Sequence, residues 1–255
     1  MYVNSADQAF SDHVALITGA GSGIGRAAAI AFAEAGAHVL GIGRREEPLK
    51  ETAAAHANIE VLAMDITDDG APAKAVSDAV RRWGRLDYLV NNAGATAVMP
   101  LAESEQQVIV DLLALNVVAP SLLAHEALPH LRETKGTIVN VSSTYGHRPM
   151  AGGAHYAASK AAVEQLTRSW ALELAGEGVR VNCVAPGPTQ TDVMLHAGLT
   201  QEASNEMYAY ERDRIPTHHV AGAEEMAHWV LRMAEPTGRH ATGQIITVDG
   251  GLELI

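Results

Sequence analysis

Tyr156 and Lys160 are the first side chains whose spacing promises chemistry. Residues four apart on a helix share one face, with Cβ atoms roughly 5–6 Å apart. An ammonium that close favours phenolate, and a tyrosine whose ordinary pKa is about 10 then becomes a usable acid and base. Ser143 stands thirteen residues before Tyr156, after an apolar run. That places a hydroxyl at the carboxyl end of a strand, where open α/β sheets bind ligands. Ser142 beside it is a rival for the same role, and Tyr145, with no lysine four residues on, is a rival for Tyr156. A second cluster suits phosphate: Thr18-Gly19-Ala20-Gly21-Ser22-Gly23-Ile24-Gly25 joins an apolar run to a helical pattern. Glycines there let backbone N–H groups and a helix N-terminus approach a pyrophosphate without Cβ interference.

Positioning these groups takes a sheet. Val14–Thr18, His38–Ile42, Ile59–Met64, Leu86–Val90, Thr137–Val141, Val179–Val184 and Gln244–Val248 are short and almost wholly apolar, as strands covered on both faces are. Between them Gly25–Ala35, Ala71–Trp83, Ser104–Leu131, His155–Ala175 and Ala223–Ala234 carry helix formers. Gly36, Gly84, Gly136 and Gly178 are placed to end helices. The alternation predicts one doubly wound, seven-stranded parallel sheet flanked by helices, a single domain spanning residues 1–255. Within it, residues 188–217 form a long connection of the kind that is usually functional, here expected to be a substrate-binding lid.

With 18 Lys and Arg against 30 Asp and Glu, the chain carries a net charge of −12, which argues against nucleic acid as a partner. Cys183 is the only cysteine, so no intrachain disulfide forms and nothing points to an oxidising compartment. The first dozen residues, with Asp7 and Asp12, do not read as an export signal, and no stretch reads as a membrane span. A cytoplasmic enzyme without a membrane partner is expected. The twelve histidines are scattered and His218-His219 lack i,i+4 spacing, so no metal site is expected.

The order of these motifs resembles the classical short-chain dehydrogenase/reductase family over essentially the whole chain from Asp12 onward. T-G-x-x-x-G-x-G is followed by Asn91-Asn92-Ala93-Gly94, Asn116, Ser143, Tyr156 with Lys160, Pro186-Gly187, Thr191 and Val248-Asp249-Gly250-Gly251. The resemblance implies a Rossmann-type fold and hydride transfer between a nicotinamide cofactor and a ketone, 3-oxoacyl group or secondary alcohol. Tyr156 would be the acid and base, Ser143 would polarise the carbonyl, Lys160 would hold the ribose, and Asn116 would anchor a relay water. The cofactor would meet Gly19, Gly21, Ser22, Gly23, Ile24, Gly25, Arg44, Arg45, Asp65, Ile66, Asn92, Ala93, Gly94, Tyr156, Lys160, Pro186, Gly187, Thr189 and Thr191. Within that set Asp65 would bond the adenine and Asn92 would brace the central strands.

NAD-preferring relatives place an aspartate where this chain has Gly43, and Arg44 follows. A missing carboxylate and an added guanidinium favour NADP, against which stand Ser22, where NADP-dependent relatives often carry a base, and the nearby Glu46 and Glu47. NAD is the alternative. The substrate wall implied by family position is Ala95, Thr96, Ser143, Tyr145, Met150, Gly153, Pro188, Met194 and Leu195, mainly apolar. A homotetramer or homodimer is the carried-over assembly. A redox regulator without turnover is the rival function, and an isomerase, dehydratase or epimerase on the same fold is another.

Overall fold

The computed structural model describes residues 10–191 and 200–255. Among them the strands are β1 (Val14–Thr18), β2 (His38–Gly43), β3 (Ile59–Ala63), β4 (Tyr88–Asn91), β5 (Thr137–Val141), β6 (Arg180–Pro186), β7 (Thr189–Gln190), β8 (Ala221–Gly222) and β9 (Ile245–Val248). Seven form one parallel sheet in the order β3-β2-β1-β4-β5-β6-β9, while β7 and β8 pair with each other. The strand order reverses between β1 and β4, whose registers align Leu16 with Leu89. A crevice opens at such a reversal, beyond the carboxyl ends of the strands. Both the glycine turn after β1 and Asn92 after β4 border it.

The α-helices are α1 (Gly23–Glu34), α2 (Glu46–Ala54), α3 (Ala71–Trp83), α4 (Gln106–Leu113), α5 (Ala119–Thr134), α6 (Ala154–Leu174), α7 (Gln201–Arg214) and α8 (Ala223–Ala234). On one face of the sheet Ala28, Ala29 and Phe32 of α1 pack with Ala227, Val230 and Ala234 of α8. The other face buries Ala75 and Ala79 of α3, Leu123, Ala127 and Leu131 of α5, and Ala171 and Leu174 of α6. Helix α6 turns Lys160, Val163, Glu164, Thr167, Ala171 and Leu174 inward. Their 3–4 residue spacing is one helical stripe, so the residues that anchor α6 to the sheet also deliver Lys160.

Besides the added β7–β8 pair and small shifts in strand bounds, four helical features differ from the sequence expectation. The helix expected over Ser104–Leu131 is two helices joined by a π-helical turn at Ala114–Val118, with Asn116 at its centre. Helix α2 is an addition. Its Pro48 sits in the first turn, where a missing N–H is tolerated, and Leu49 and Thr52 are its buried residues. Helix α7 occupies part of the long connection. Finally, Lys135 rather than Gly136 takes the left-handed position that ends α5, at φ 52°. Gly136 is required for another reason: a Cβ there would lie 2.3 Å from the Asp87 carbonyl oxygen.

The α4–α5 segment, Gln106–Thr134, is long and apolar enough to cross a membrane. Its inner side is committed to the sheet through Leu112, Leu123 and Leu131, while Val110, Leu113, Val118 and Leu122 are exposed along it.

Candidate active site

Gly19 takes φ 71°, and a Cβ on it would lie 2.6 Å from Asn92 Nδ2. That closeness lets Asn92 Nδ2 donate to Thr18 O at 2.8 Å, while Thr18 Oγ1 accepts from the N–H of Asn92 and of Ala93 at 3.1 and 3.0 Å. The turn is thereby tied to the end of β4. A Cβ on Gly25 would lie 2.3 Å from Gly19 O, so the first turn of α1 presses directly on the loop. Ser22 precedes α1 in extended conformation and makes no side-chain cap. Left uncapped by Ser22, the leading N–H groups of α1, at Gly23, Ile24 and Gly25, suit a pyrophosphate.

Thr191 packs on Gly23, with its Cβ 3.1 Å from where a Gly23 Cβ would sit. The Tyr208 hydroxyl on α7 donates toward Thr189 O (3.1 Å) or Thr191 O (3.0 Å) and lies 3.3 Å from Thr191 N–H. Residue Tyr208 was absent from the expected site. Its signal was only that it lay in the long connection. Pro186 and Gly187 end β6, and a Gly187 Cβ would lie 2.5 Å from Asp249 Cβ. Thr189 is buried and donates to Gly187 O at 2.9 Å.

At the end of β2, a Cβ on Gly43 would meet only Leu49 methyl and methine carbons at 3.4–3.7 Å, so a larger side chain has room. The Arg44 side chain is 73% exposed, with Nη1 3.9 Å from Asp65 Oδ2. Arg45 precedes α2 and is exposed. Asp65 Oδ1 accepts from Thr67 N–H and hydroxyl at 3.0 and 2.7 Å. Burial alone would raise its pKa, but those two bonds and Arg44 outweigh it and hold the carboxyl below its ordinary value. Asp65 thus has a turn-forming role besides the adenine contact implied by resemblance. Ile66 is buried in the core beside it. Glu46 and Glu47 both lie near Lys50, at 3.0 and 2.9 Å.

Beyond β5, Ser142 and Ser143 diverge. Ser142 Oγ lies 3.1 Å from Lys160 O and 3.1 Å from Glu164 Oε1, directed into α6. Ser143 Oγ accepts from Tyr145 N–H at 3.2 Å and sits 3.5 Å from Pro186 O. Asn116 is buried, its Oδ1 accepting from Ala95 N–H at 2.9 Å and its Nδ2 facing Ala95 O at 3.0 Å and Ser159 Oγ at 2.9 Å. A Cβ on Gly94 would lie 3.2 Å from both Asn116 Oδ1 and Lys160 Nζ, so these three residues converge. A polar ladder missed in the sequence supports them: Asn91 Nδ2 donates to Asn140 Oδ1 (2.9 Å), and Asn140 Nδ2 donates to Thr167 Oγ1 (2.8 Å). It joins β4, β5 and α6 beneath the site.

The electrostatics correct one expectation. Lys160 Nζ donates to Val141 O at 3.0 Å and lies 5.9 Å from the centre of the Tyr156 ring. Burial lowers the Lys160 pKa to about 8. Tyr156 is half-buried, and the dense packing around its hydroxyl raises the phenol pKa, the Ser143 hydroxyl pulling the other way and Tyr145 adding to the rise. The chain by itself therefore does not make this tyrosine acidic. Desolvation outweighs the hydrogen bond from Ser143.

On the substrate side, Ala95 is fixed by Asn116, and Thr96 follows it, half-buried. Met99 N–H donates to Gly152 O at 2.6 Å, which brings this strip against the Met150–Gly153 turn. Gly153 is buried under the Met150 side chain, and Pro188 is half-buried after β6. Met194 and Leu195 lie outside the described residues. At Tyr145 the phenol pKa is raised by burial and by Glu211 of α7, with Arg214 and Arg148 opposing. Two arginines and a carboxylate therefore act on the Tyr145 end of the crevice.

The sequence profile described as short chain dehydrogenase matches residues 13–203. The chain is 35% identical to the 3-oxoacyl-(acyl-carrier-protein) reductase FabG of Thermotoga maritima over 94% of this chain and 97% of that protein. It is 34% identical to meso-2,3-butanediol dehydrogenase of Serratia marcescens, over 95% of each. Among solved structures, a short-chain dehydrogenase/reductase of unknown function from Caenorhabditis elegans, crystallised with cofactor, superimposes with a TM-score of 0.91 at 33% identity, covering 97% of both chains.

Proposed function

Because this chain belongs to the short-chain dehydrogenase family, and so interconverts alcohol and carbonyl groups with a nicotinamide cofactor, we propose that it is an NADP-dependent ketone or 3-oxoacyl reductase working through Tyr156. The observation that carries the reading is the chain of contacts from Asn116 and Lys160 beside Gly94, through the Tyr156 ring near Lys160, to the hydrogen bond of Tyr156 with Ser143. When bound, the reduced nicotinamide supplies hydride to the carbonyl carbon. Ser143 donates a hydrogen bond to the carbonyl oxygen, and Tyr156 gives that oxygen its proton. In oxidation the phenol receives it. The raised phenol pKa keeps Tyr156 in the protonated form that reduction starts from. Lys160 binds ribose hydroxyls, and Asn116 holds the Ala95 loop in place. Residues Ser22 to Gly25 would cradle the pyrophosphate, with Asp65, Ile66, Ala93, Thr189 and Thr191 around the rest of the cofactor.

NADP is favoured by the side-chain-free Gly43 and the exposed Arg44, and by the pairing of Glu46 and Glu47 with Lys50, which blunts their repulsion of a phosphate. Residues 188–217 would act as the substrate lid. Homodimer or homotetramer formation would cover the exposed Val110, Leu113, Val118 and Leu122.

A panel of ketones, 3-oxoacyl thioesters and secondary alcohols, read by reduced-nicotinamide absorbance with each cofactor, tests the function. Net turnover with NADPH exceeding that with NADH is expected. Turnover without any absorbance change would instead identify an isomerase or dehydratase. The mass in solution, by light scattering, tests the assembly.

A further inference from the structure

Behind the catalytic serine lies a charge cluster that the reaction above does not use. Glu164, on the inward stripe of α6, is only 3% exposed. Its Oε1 faces Ser142 Oγ at 3.1 Å and His147 Nδ1 at 2.9 Å, while Arg168 Nη2 stands 3.8 Å from Oε2. The other ring nitrogen, His147 Nε2, lies 2.6 Å from Glu253 Oε2, with Thr247 Oγ1 at 3.4 Å. A Cβ on the intervening Gly146 would lie 2.4 Å from Glu164 Oε1, so the close approach depends on glycine. Two carboxylates at the two nitrogens require two N–H donors, which only the imidazolium has.

We infer that His147, clamped between Glu164 and Glu253, positions Ser143, tying the segment after β5 to helix α6 on one side and to the turn after β9 on the other. The inference rests on Ser143 acting on the substrate. Apart from its hydrogen bond with Tyr156, Ser143 is held loosely, by Tyr145 N–H at 3.2 Å and by a 3.5 Å approach to Pro186 O. Its aim is therefore set by the flanking residues: Ser142 on Glu164, Thr144 on Asp249 through a 2.6 Å bond, and His147 on both glutamates. Asp249 also accepts from Glu253 N–H at 2.8 Å, so the turn after β9 is latched twice, and the His147 latch is the one that titrates.

Burial opposes the His147 charge, but Glu164 and then Glu253 outweigh it, so the ring keeps its proton above the ordinary imidazole value. Arg148 and Arg214 line the cleft of about 610 Å³ onto which the ring opens, and Arg168 backs Glu164. These cations oppose the proton from the solvent side and from α6. The clamp is complete below about pH 6.5, the unperturbed value, and is lost as pH rises through the raised folded value.

His147→Gln, Glu253→Gln and Ser143→Ala are compared by the pH dependence of kcat in carbonyl reduction, with chemistry rate-limiting. Wild type is expected to lose activity through an ionisation above the ordinary imidazole value, separate from that of Tyr156. His147→Gln should lack this ionisation and run roughly tenfold slower at pH 6.5, short of the ~10²-fold that a 1 Å misplacement produces, with cofactor KM unchanged. In Glu253→Gln the ionisation should move down, together with the ¹³C-labelled His147 titration read by NMR. Should His147→Gln fail to fold, the Glu253→Gln pair of readouts decides alone. A wild-type profile retained in either variant, or an NMR titration of His147 unmoved by Glu253→Gln, overturns the clamp. If Ser143→Ala leaves kcat intact, the functional reading itself fails.

Discussion

Around Tyr156 the working groups are buried and partnered, whereas around Arg44 they are exposed and loosely held. Lys160, Ser143 and Asn116 are each at most 6% exposed, while the Arg44 and Asp65 side chains are 73% and 33% exposed and stand 3.9 Å apart. On the proposed function the two ends of one crevice do different work. Proton transfer needs groups fixed in low dielectric, where small displacements are costly. Choosing between a ribose hydroxyl and a phosphate needs only charge of the right sign, and solvent weakens it.

The largest effect should come from the buried end. Tyr156→Phe is expected to lower kcat by about 10²–10⁴-fold while cofactor affinity, measured by fluorescence titration, stays near wild type. Retention of more than about a tenth of wild-type kcat under rate-limiting chemistry would remove Tyr156 from the proton transfer.

Lys160 sharpens the contrast, because burial of its ammonium is unfavourable. Its folded pKa is about 8, below the ordinary value of about 10.4. Between these values the unfolded chain holds a proton that the fold does not, so stability rises with pH across that window. Lys160→Met should therefore be inactive yet more stable at pH 7, by on the order of 3 kcal/mol. The gain should fade toward pH 10. Thermal melts at pH 7 and 10 measure it, and a variant less stable at pH 7 would mean that the bond to Val141 O outweighs desolvation.

At the exposed rim, Gly43→Asp with Arg44→Ala should lower the NADP-to-NAD ratio of kcat/KM by at least about tenfold, since charge-assisted bonds contribute about 1.5–3 kcal/mol. An unmoved ratio, or a wild type that already prefers NAD, would leave Arg44 as a solvated turn residue. Smallest of all, Glu46→Gln with Glu47→Gln should change that ratio by less than about threefold, because both carboxylates already face Lys50 and exposed pairs are weak. A larger change would show that the rim is as tightly coupled as the buried end.

The same division governs what was legible in the sequence. Strand β1, strand β5 and helices α3 and α8 match the expected spans residue for residue, since unbroken apolar runs and clean helical stripes leave little competition. Helix α2 escaped because only Leu49 and Thr52 are buried, too few to make a stripe. The break at Asn116 escaped because a π-turn has no compositional signature, only a geometric one. Tyr156 and Lys160 could be paired from spacing, but the sign of the net shift in the phenol pKa could not be read there. It depends on how much protein surrounds the phenol and on the ammonium lying across from Val141 O. Glu164, His147 and Glu253 are too far apart in sequence to be read as a unit.

The packing of α1 against α8 has a consequence in time. Phe32 and its alanine neighbours meet Ala227, Val230 and Ala234, roughly two hundred residues later in the chain. At a synthesis rate of about 5–20 residues per second, that face of α1 stays uncovered for roughly 10–40 s after it emerges, even though β1 can already pair with β2 and β4. A nascent chain stalled before Ala223 should accordingly bind an apolar dye or a holding chaperone, and one stalled well beyond Ala234 should bind less.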